Sequence, residues 1–186
     1  LMISKKEARD YVRRIRNELT EDKCLGYALM VTERLVLLPE FKNSEVLYLY
    51  NPIRNEMPTV YIAKQAMKDG KITAYPKVEG DNMRFYRIDN EDEASYGYMN
   101  IKEPIADSDR LVDCDKGVVI LPGLAYDRKC NRAGYGKGFY DRFLEAHKNL
   151  VKIGIAYDFQ VFDELETDIW DIPLDYVITE TTIYKG

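Results

Sequence analysis

The residues best suited to chemistry lie between Asp127 and Arg142, in a segment that combines glycines with basic side chains. Glycines alternate with other residues over 134–138, which we call the glycine loop, and Lys137 stands within it. Glycine allows positive φ angles and close backbone approach to a ligand, and lysine supplies a mobile positive charge. An apolar run precedes the segment and a helical pattern follows it. Since backbone N–H groups at a helix start attract phosphate, we interpret the segment as an anion-binding loop.

The glycine loop matches neither of the two common phosphate-binding motifs. In a Walker A loop the lysine is followed by Ser or Thr, whereas Gly138 follows Lys137, and Asn131 stands where the first glycine would fall. The glycines are spaced GxGxG rather than GxGxxG, so the dinucleotide fingerprint is also absent. A glycine-rich surface turn with a solvated lysine is the alternative interpretation.

Positive charge is concentrated around this loop. The segment from Asp127 to Arg142 holds five basic residues against two acidic ones, while the whole chain has a formal net charge of -5. A protein that repels anions overall but gathers cations at one turn suits a compact, highly charged ligand such as a polyphosphate. A long nucleic-acid backbone is a poor match, and we expect no nucleic-acid partner.

Three carboxylates are candidates for the same site. Glu56 lies between a predicted strand and a predicted helix, where the helix dipole would favour a carboxylate even without a function. Asp141 lies one turn beyond the glycine loop, where a carboxylate together with phosphate oxygens could hold Mg²⁺. Asp171 could be a second metal ligand, although nothing local distinguishes it from Asp168 or Asp175.

Lys5 and Arg9 are four residues apart on one face of a predicted helix, so both could point at a single anion. The arginines at 13, 14 and 16 favour a solvated basic face instead. The three cysteines are too widely spaced for a disulfide framework or a zinc site, and Cys130 could be exposed within the loop segment. The single histidine, His147, falls near a predicted helix end, where a capping or surface role is expected.

The elements that must position these residues alternate between helix and strand patterns. Helices are predicted over 4–19, from 20 to before Pro39, over 58–69 and over 138–147; strands are predicted over 46–50, 72–75, 117–121, 152–156 and 176–179, with an extended segment over 83–88. This alternation predicts one α/β domain over residues 1–186, a layered sandwich with a mostly parallel sheet. Ligands collect beyond the carboxyl ends of such strands, so one cleft could gather segments 51–56, 122–137 and 157–160. The acidic stretch 89–115 is expected to be an irregular excursion or a lid.

No apolar run is long enough to span a membrane, and the first residues lack a secretory hydrophobic region. We therefore expect a cytoplasmic protein with small-molecule partners, no membrane contact and a monomeric state.

The stretches 121–127 and 131–141 resemble the signature of the 5-formyltetrahydrofolate cyclo-ligase family, also called methenyltetrahydrofolate synthetases. The likeness spans nearly the whole chain, from Lys5 and Arg9 through the Asn55-Glu56 pair to segment 171–180. It departs from the family pattern at Cys130, at Ala133 and at Phe139, where a tyrosine hydroxyl is missing, and the segment before Asp171 lacks the usual proline and histidine.

The resemblance implies a three-layer α/β sandwich of the isomerase and CoA-transferase-like kind. It also implies a reaction in which ATP, with Mg²⁺, drives closure of 5-formyltetrahydrofolate to 5,10-methenyltetrahydrofolate. Residues expected at ATP are Lys5, Arg9, Arg132, Gly134, Tyr135, Gly136, Lys137, Gly138, Phe139 and Tyr140. Residues expected at the folate are Glu56, Tyr135, Gly136, Lys137, Gly138 and Phe139. Asp141 and Asp171 are expected to serve Mg²⁺, and Lys137 and Arg132 to act on the transferred phosphoryl group.

Two other functions stay open on the sequence. A phosphosugar isomerase-like enzyme on the same layered fold would use the loop for a single phosphate and would not need ATP. A folate- or nucleotide-binding module would bind its ligand without consuming ATP.

Overall fold

The structure, a computed structural model, describes residues 2–89, 94–96 and 102–186 of the chain. Within these ranges the helices are α1 (Lys5–Arg16), α2 (Glu21–Leu35), α3 (Pro39–Asn43), α4 (Val60–Lys68) and α5 (Phe139–Ala146). The four predicted helices are confirmed, and the short α3 was not predicted. Ser4 caps α1 by accepting from the Glu7 backbone N–H, and the Glu7 side chain accepts from Ser4 in return, which completes the predicted capping box.

The strands are β1 (Met2–Ile3), β2 (Val46–Tyr48), β3 (Ile72–Glu79), β4 (Asn82–Arg87), β5 (Ala94–Tyr96), β6 (Lys102–Pro104), β7 (Leu111–Val112), β8 (Val118–Leu121), β9 (Ala125–Asp127), β10 (Arg132–Ala133), β11 (Val151–Ile155), β12 (Val161–Phe162), β13 (Glu164–Leu165), β14 (Tyr176–Ile178) and β15 (Ile183–Lys185). The main sheet has eight strands in the order β15-β14-β11-β8-β2-β3-β4-β7. Its five central strands, β14 to β3 in that order, pair in parallel. Antiparallel pairings add β15 at one edge and β4 and β7 at the other.

Alternate residues of the central strands pack on opposite faces of the sheet. Leu47 and Ile120 belong to a core cluster with residues of α2 and α4, whereas Tyr48 and Leu121 pack with Phe143 of α5. Neighbouring residues along a strand point to opposite faces of the sheet. Because both faces are covered here, each buried strand must be apolar throughout. Helices therefore cover both faces, and the predicted three-layer α/β sandwich with a mostly parallel sheet is confirmed.

Helix α1 packs outside these layers, beside the loops that follow the central strands. Its buried residues Ala8 and Val12 contact a small cluster that includes Leu124, Ala133 and Leu165. This packing places the basic side chains of α1 next to the glycine loop. At the end of α5, His147 Nδ1 donates to the Phe143 carbonyl at 2.8 Å, in agreement with the capping role expected for it.

The stretch 89–115 is more regular than the sequence suggests wherever it is described. Strands β5 and β6 pair antiparallel, and β7 extends the main sheet beside β4. Residues 90–93 and 97–101 lie outside the described part of the chain, so the lid stays a prediction. In the described ranges no helix is long and apolar enough to cross a membrane.

Candidate active site

The glycine loop connects β10 to α5, and its backbone conformation explains why glycine stands at two of its positions. The φ angle is 84° at Gly136 and 70° at Gly138, a conformation that residues with a Cβ rarely adopt. Gly138 immediately precedes α5, so the loop ends at a helix N-terminus that favours anions. Gly134 does not have a positive φ angle. Glycine provides space instead, since a Cβ on Gly134 would lie 3.0 Å from a guanidinium nitrogen of Arg132.

A cavity of about 280 Å³ lies beside this loop, and we call it the basic cavity. Its lining consists of Lys5, Arg9, Pro122, Arg132, residues 134–141 and Asp171. The structure thus brings together residues from the first helix, the central loop and the C-terminal segment. Every residue that the sequence assigns to ATP or to Mg²⁺ lines this one cavity.

Lys5 holds the C-terminal segment to α1 through two carboxylates. Its Nζ lies 2.5 Å from Asp171 Oδ2 and 2.8 Å from Asp168 Oδ2. Burial lowers the pKa of Lys5, but the hydrogen bonds and charges of both aspartates outweigh burial, so its pKa is raised above the usual value. Arg9 contributes differently, since its Nε donates to the Gly134 carbonyl at 2.8 Å and fixes the start of the glycine loop.

Arg132 and Lys137 present their charges in different ways. The Arg132 guanidinium is largely buried, donates to the Pro122 carbonyl at 3.0 Å and pairs with Asp141 at 2.9 Å. Lys137 is exposed, and its ammonium has no hydrogen-bond or ion-pair partner in the described part of the chain. The site therefore combines a fixed cation with a mobile one.

Asp141 and Asp171 could hold a divalent cation only together with a ligand. Both line the basic cavity, Asp141 is about half exposed, and each already faces a cation of the protein. Over the ranges that the structure describes, no cluster of three or more His, Cys, Asp or Glu side chains could bind a metal unaided. This donor set fits Mg²⁺, which is commonly held by one or two carboxylates plus phosphate oxygens and water.

A second cavity, of about 290 Å³, adjoins the basic cavity. Its lining is Arg13, Tyr50, Asn51, Ile53, Arg54, Glu56, Pro76, Val78, Met83, Glu103, Pro122, Tyr135, Lys137 and Tyr140. Pro122, Tyr135, Lys137 and Tyr140 line both cavities and form a shared wall. Apolar and aromatic side chains dominate the second cavity, as is usual for sites that bind small organic molecules.

Glu56 is the buried carboxylate of the second cavity. It is only 5% exposed, and it accepts hydrogen bonds from the Tyr135 hydroxyl and, at 2.9 Å, from the Ile53 N–H. Burial raises the pKa of Glu56 above its usual value, and the hydrogen bonds from Tyr135 and Ile53 and the charge of Arg16 offset this rise only in part. Arg16 completes this group by donating to the Tyr135 hydroxyl at 2.8 Å.

Comparison with known proteins agrees with this geometry. The model of the 5-formyltetrahydrofolate cyclo-ligase family matches residues 2–180. The chain belongs to the 5-formyltetrahydrofolate cyclo-ligase family. A 5-formyltetrahydrofolate cyclo-ligase from Mycoplasma genitalium is 36% identical over 147 residues, covering 77% of this chain and 76% of the relative. The Escherichia coli K12 enzyme of the same name is 26% identical over 94% of this chain and 99% of its own.

Solved structures of the family share the fold. The NMR structure of a 5,10-methenyltetrahydrofolate synthetase from Aquifex aeolicus superimposes with a TM-score of 0.86 at 36% identity, covering 97% of this chain and 92% of that one. The synthetase from Mycoplasma pneumoniae gives a TM-score of 0.71 at 26% identity, covering 95% and 98% of the two chains. The expectation that this chain is a cyclo-ligase enzyme is thereby confirmed.

Sequence reasoning missed Arg16 in this cyclo-ligase. The basic face of α1 was interpreted as solvated, yet Arg16 is only 2% exposed and contacts Tyr135, which lies 119 residues further along the chain. The signal that could have found it is the spacing of positions 5, 9, 13 and 16, which repeats at helical intervals along one face.

Two further expectations about the cyclo-ligase site are wrong. Cys130 is fully buried rather than exposed, and burial raises the pKa of its thiol to about 11, so it is not a reactive thiolate. Segment 157–160 supports the site instead of lining either cavity: Gln160 donates to the carbonyls of Gly123 at 3.1 Å and Leu124 at 2.8 Å.

Proposed function

We propose that this enzyme uses ATP and Mg²⁺ to convert 5-formyltetrahydrofolate to 5,10-methenyltetrahydrofolate, with release of ADP and phosphate. One observation carries the proposal: a basic cavity and a largely apolar cavity share a wall that contains Lys137. A polyphosphate in the first and a folate in the second would place the terminal phosphate and the reacting group on either side of that lysine. Such an arrangement supplies proximity and charge neutralisation together.

The chemistry explains why cations rather than acid-base residues line the shared wall. An N-formyl carbon is a poor electrophile because its nitrogen donates into the carbonyl, and hydroxide would be a poor leaving group. Transfer of the terminal phosphoryl group from ATP to the formyl oxygen solves both problems, with ADP as the first product. The neighbouring amine nitrogen then attacks the activated carbon, loses its proton, and inorganic phosphate departs with the former formyl oxygen.

Each protein group has a role consistent with its contacts. Lys137, unpaired in the described part of the chain, neutralises charge on the moving phosphoryl group, and Arg132 does so from a fixed position. Mg²⁺, held by Asp141 and Asp171 with phosphate oxygens, would supply further charge neutralisation. Glu56 accepts hydrogen bonds from N–H groups of the folate ring. No histidine or thiol is required.

Turnover of the purified protein tests the proposal. We expect methenyl product, followed by its absorbance, from 5-formyltetrahydrofolate only when both ATP and Mg²⁺ are present, and we expect a chelator to abolish it. Product formation without ATP, or no product at all, would contradict the proposed function. Tight folate or nucleotide binding without ATP consumption would favour the binding-module alternative, and turnover of a phosphosugar would favour the isomerase.

A further inference from the structure

Arg16, Tyr135 and Glu56 form a buried chain of hydrogen bonds that joins α1 to the second cavity. Arg16 Nη2 donates to the Tyr135 hydroxyl at 2.8 Å, and that hydroxyl donates to Glu56 Oε1. Glu56 Oε2 accepts from the Ile53 N–H. Tyr135 and Glu56 line the second cavity, whereas Arg16 lies behind them.

The direction of these hydrogen bonds is set by Arg16. A guanidinium carries only donors, so the Tyr135 oxygen must accept from it, and the single hydroxyl proton is left for Glu56. Both carboxylate oxygens of Glu56 thereby receive N–H or O–H donors from the protein, which favours the ionised form. An ionised carboxylate offers only acceptor lone pairs to whatever enters the cavity.

Structural stability alone does not account for the arginine. Arg16 is 2% exposed, and its Nη1 is buried without a hydrogen-bond partner among the described residues. An unsatisfied buried donor is costly, and a shorter apolar side chain at this position would avoid that cost. The positive charge so close to Glu56 is the property that an apolar residue could not supply.

We propose that Arg16 is a positioning residue that acts through the Tyr135 hydroxyl to hold Glu56 as an ionised acceptor for the N–H donors of the folate. This inference rests on the proposed function for the identity of the ligand. Other titratable or charged side chains also face Glu56, and they constrain its ionisation along with Arg16: Arg54 from the same loop, Tyr50 after β2, Tyr126 of β9 and Tyr140 of α5. Of these only Arg54 is a cation, and it is exposed to solvent.

Folate binding should therefore depend on pH in a defined direction. Binding strengthens as pH rises through the pKa of Glu56 and then levels off, because the ionised form binds. Removing the Arg16 charge raises that pKa further, since the charge of Arg16 lowers it in the wild type. The rising limb of the binding profile must then move to higher pH.

Calorimetric binding of 5-formyltetrahydrofolate, measured at a series of pH values, tests this. For Arg16→Met we expect roughly tenfold weaker binding or more at neutral pH, recovering as pH rises, with ATP binding unchanged. Arg14→Met, at an exposed arginine of the same helix, is the matched control and should bind like wild type. Tyr135→Phe should also move the rise in binding to higher pH. Adding Arg16→Met to it should move that rise by less than Arg16→Met does alone, because only the direct effect of the Arg16 charge on Glu56 is then left to lose.

The inference would be overturned if the rise in folate binding occurred at the same pH in Arg16→Met as in the wild type, or if this variant lost folate and ATP binding equally. If Arg16→Met does not fold, Tyr135→Phe provides the test, because it breaks the hydrogen-bond chain to Glu56 while Arg16 stays in place. A rise in folate binding at the wild-type pH in Tyr135→Phe would likewise overturn the inference. Full additivity of the two substitutions would show that Arg16 does not act through Tyr135. Wild-type protein that binds the folate but consumes no ATP would overturn the proposed function alone.

Discussion

At the scale of single residues, the basic cavity contains three cations that are bound to other groups of the protein and one that is available to a ligand. Arg9 is bound to the Gly134 carbonyl, Arg132 to Asp141 and Lys5 to Asp171. Lys137 has no such partner in the described part of the chain, and it lies on the wall that both cavities share. Under the proposed function it is therefore the side chain best placed to follow a phosphoryl group from one cavity to the other.

Lys137→Ala is expected to slow turnover by roughly ten- to a hundredfold or more, because a charge-assisted contact to the moving phosphoryl group is lost. Steady-state kinetics of methenyl formation would measure the change. Since Lys137 is exposed and its ammonium has no hydrogen-bond or ion-pair partner among the described residues, its removal should leave the unfolding free energy nearly unchanged. Lys64→Ala, at an exposed lysine on α4, is the matched control. Wild-type kinetics in Lys137→Ala would show that Lys137 does not act in the site.

At the scale of elements, α1 and the loop after β2 hold each other in place. Asn55 Nδ2 donates to the carbonyls of Arg16 and Leu19, both at 3.0 Å, at the end of α1. The Tyr157 hydroxyl donates to the Asn55 carbonyl at 3.1 Å. Arg54 and Asn55 both have positive φ, 47° and 56°, so this loop depends on those contacts to keep its shape. Glu56 is the next residue in the chain, so the contacts of Asn55 also fix the position of Glu56.

Asn55→Ala should lower the unfolding free energy by roughly 1–3 kcal/mol, from two lost hydrogen bonds and from placing alanine at positive φ. Denaturant unfolding would measure it. Asn55→Gly is the control that separates the two causes, because glycine tolerates the backbone angle but also lacks the amide. We expect Asn55→Gly to lose less stability than Asn55→Ala, and equal losses would contradict a contribution from backbone strain.

At the scale of the whole molecule, the sequence predicts the layers well because each central strand and helix is marked by a pattern within its own residues. The apolar run of β8, the capping box at Ser4 and the glycines before α5 can all be interpreted without knowing the rest of the chain. The basic cavity was predictable for a related reason, since the carboxyl ends of parallel strands meet at one edge of the sheet.

Contacts between distant segments could not be predicted in this way. Whether Arg16 is solvated or buried depends on Tyr135, and whether Cys130 is exposed depends on the strands and segments packed around it. Both were misjudged because sequence position near a basic face or a polar loop says little about tertiary burial. The pairing of Lys5 with Asp171 joins opposite ends of the chain and is likewise invisible to local patterns.

The route of the formyl oxygen is the most direct test of the whole account, in which the two cavities place that oxygen against the terminal phosphate of ATP. The substrate would be 5-formyltetrahydrofolate with ¹⁸O in the formyl group, and the released phosphate and water would be analysed by mass spectrometry after turnover. We predict that the label appears in inorganic phosphate, because phosphorylation of the formyl oxygen precedes ring closure. Label found in water, with unlabelled phosphate, would contradict the account.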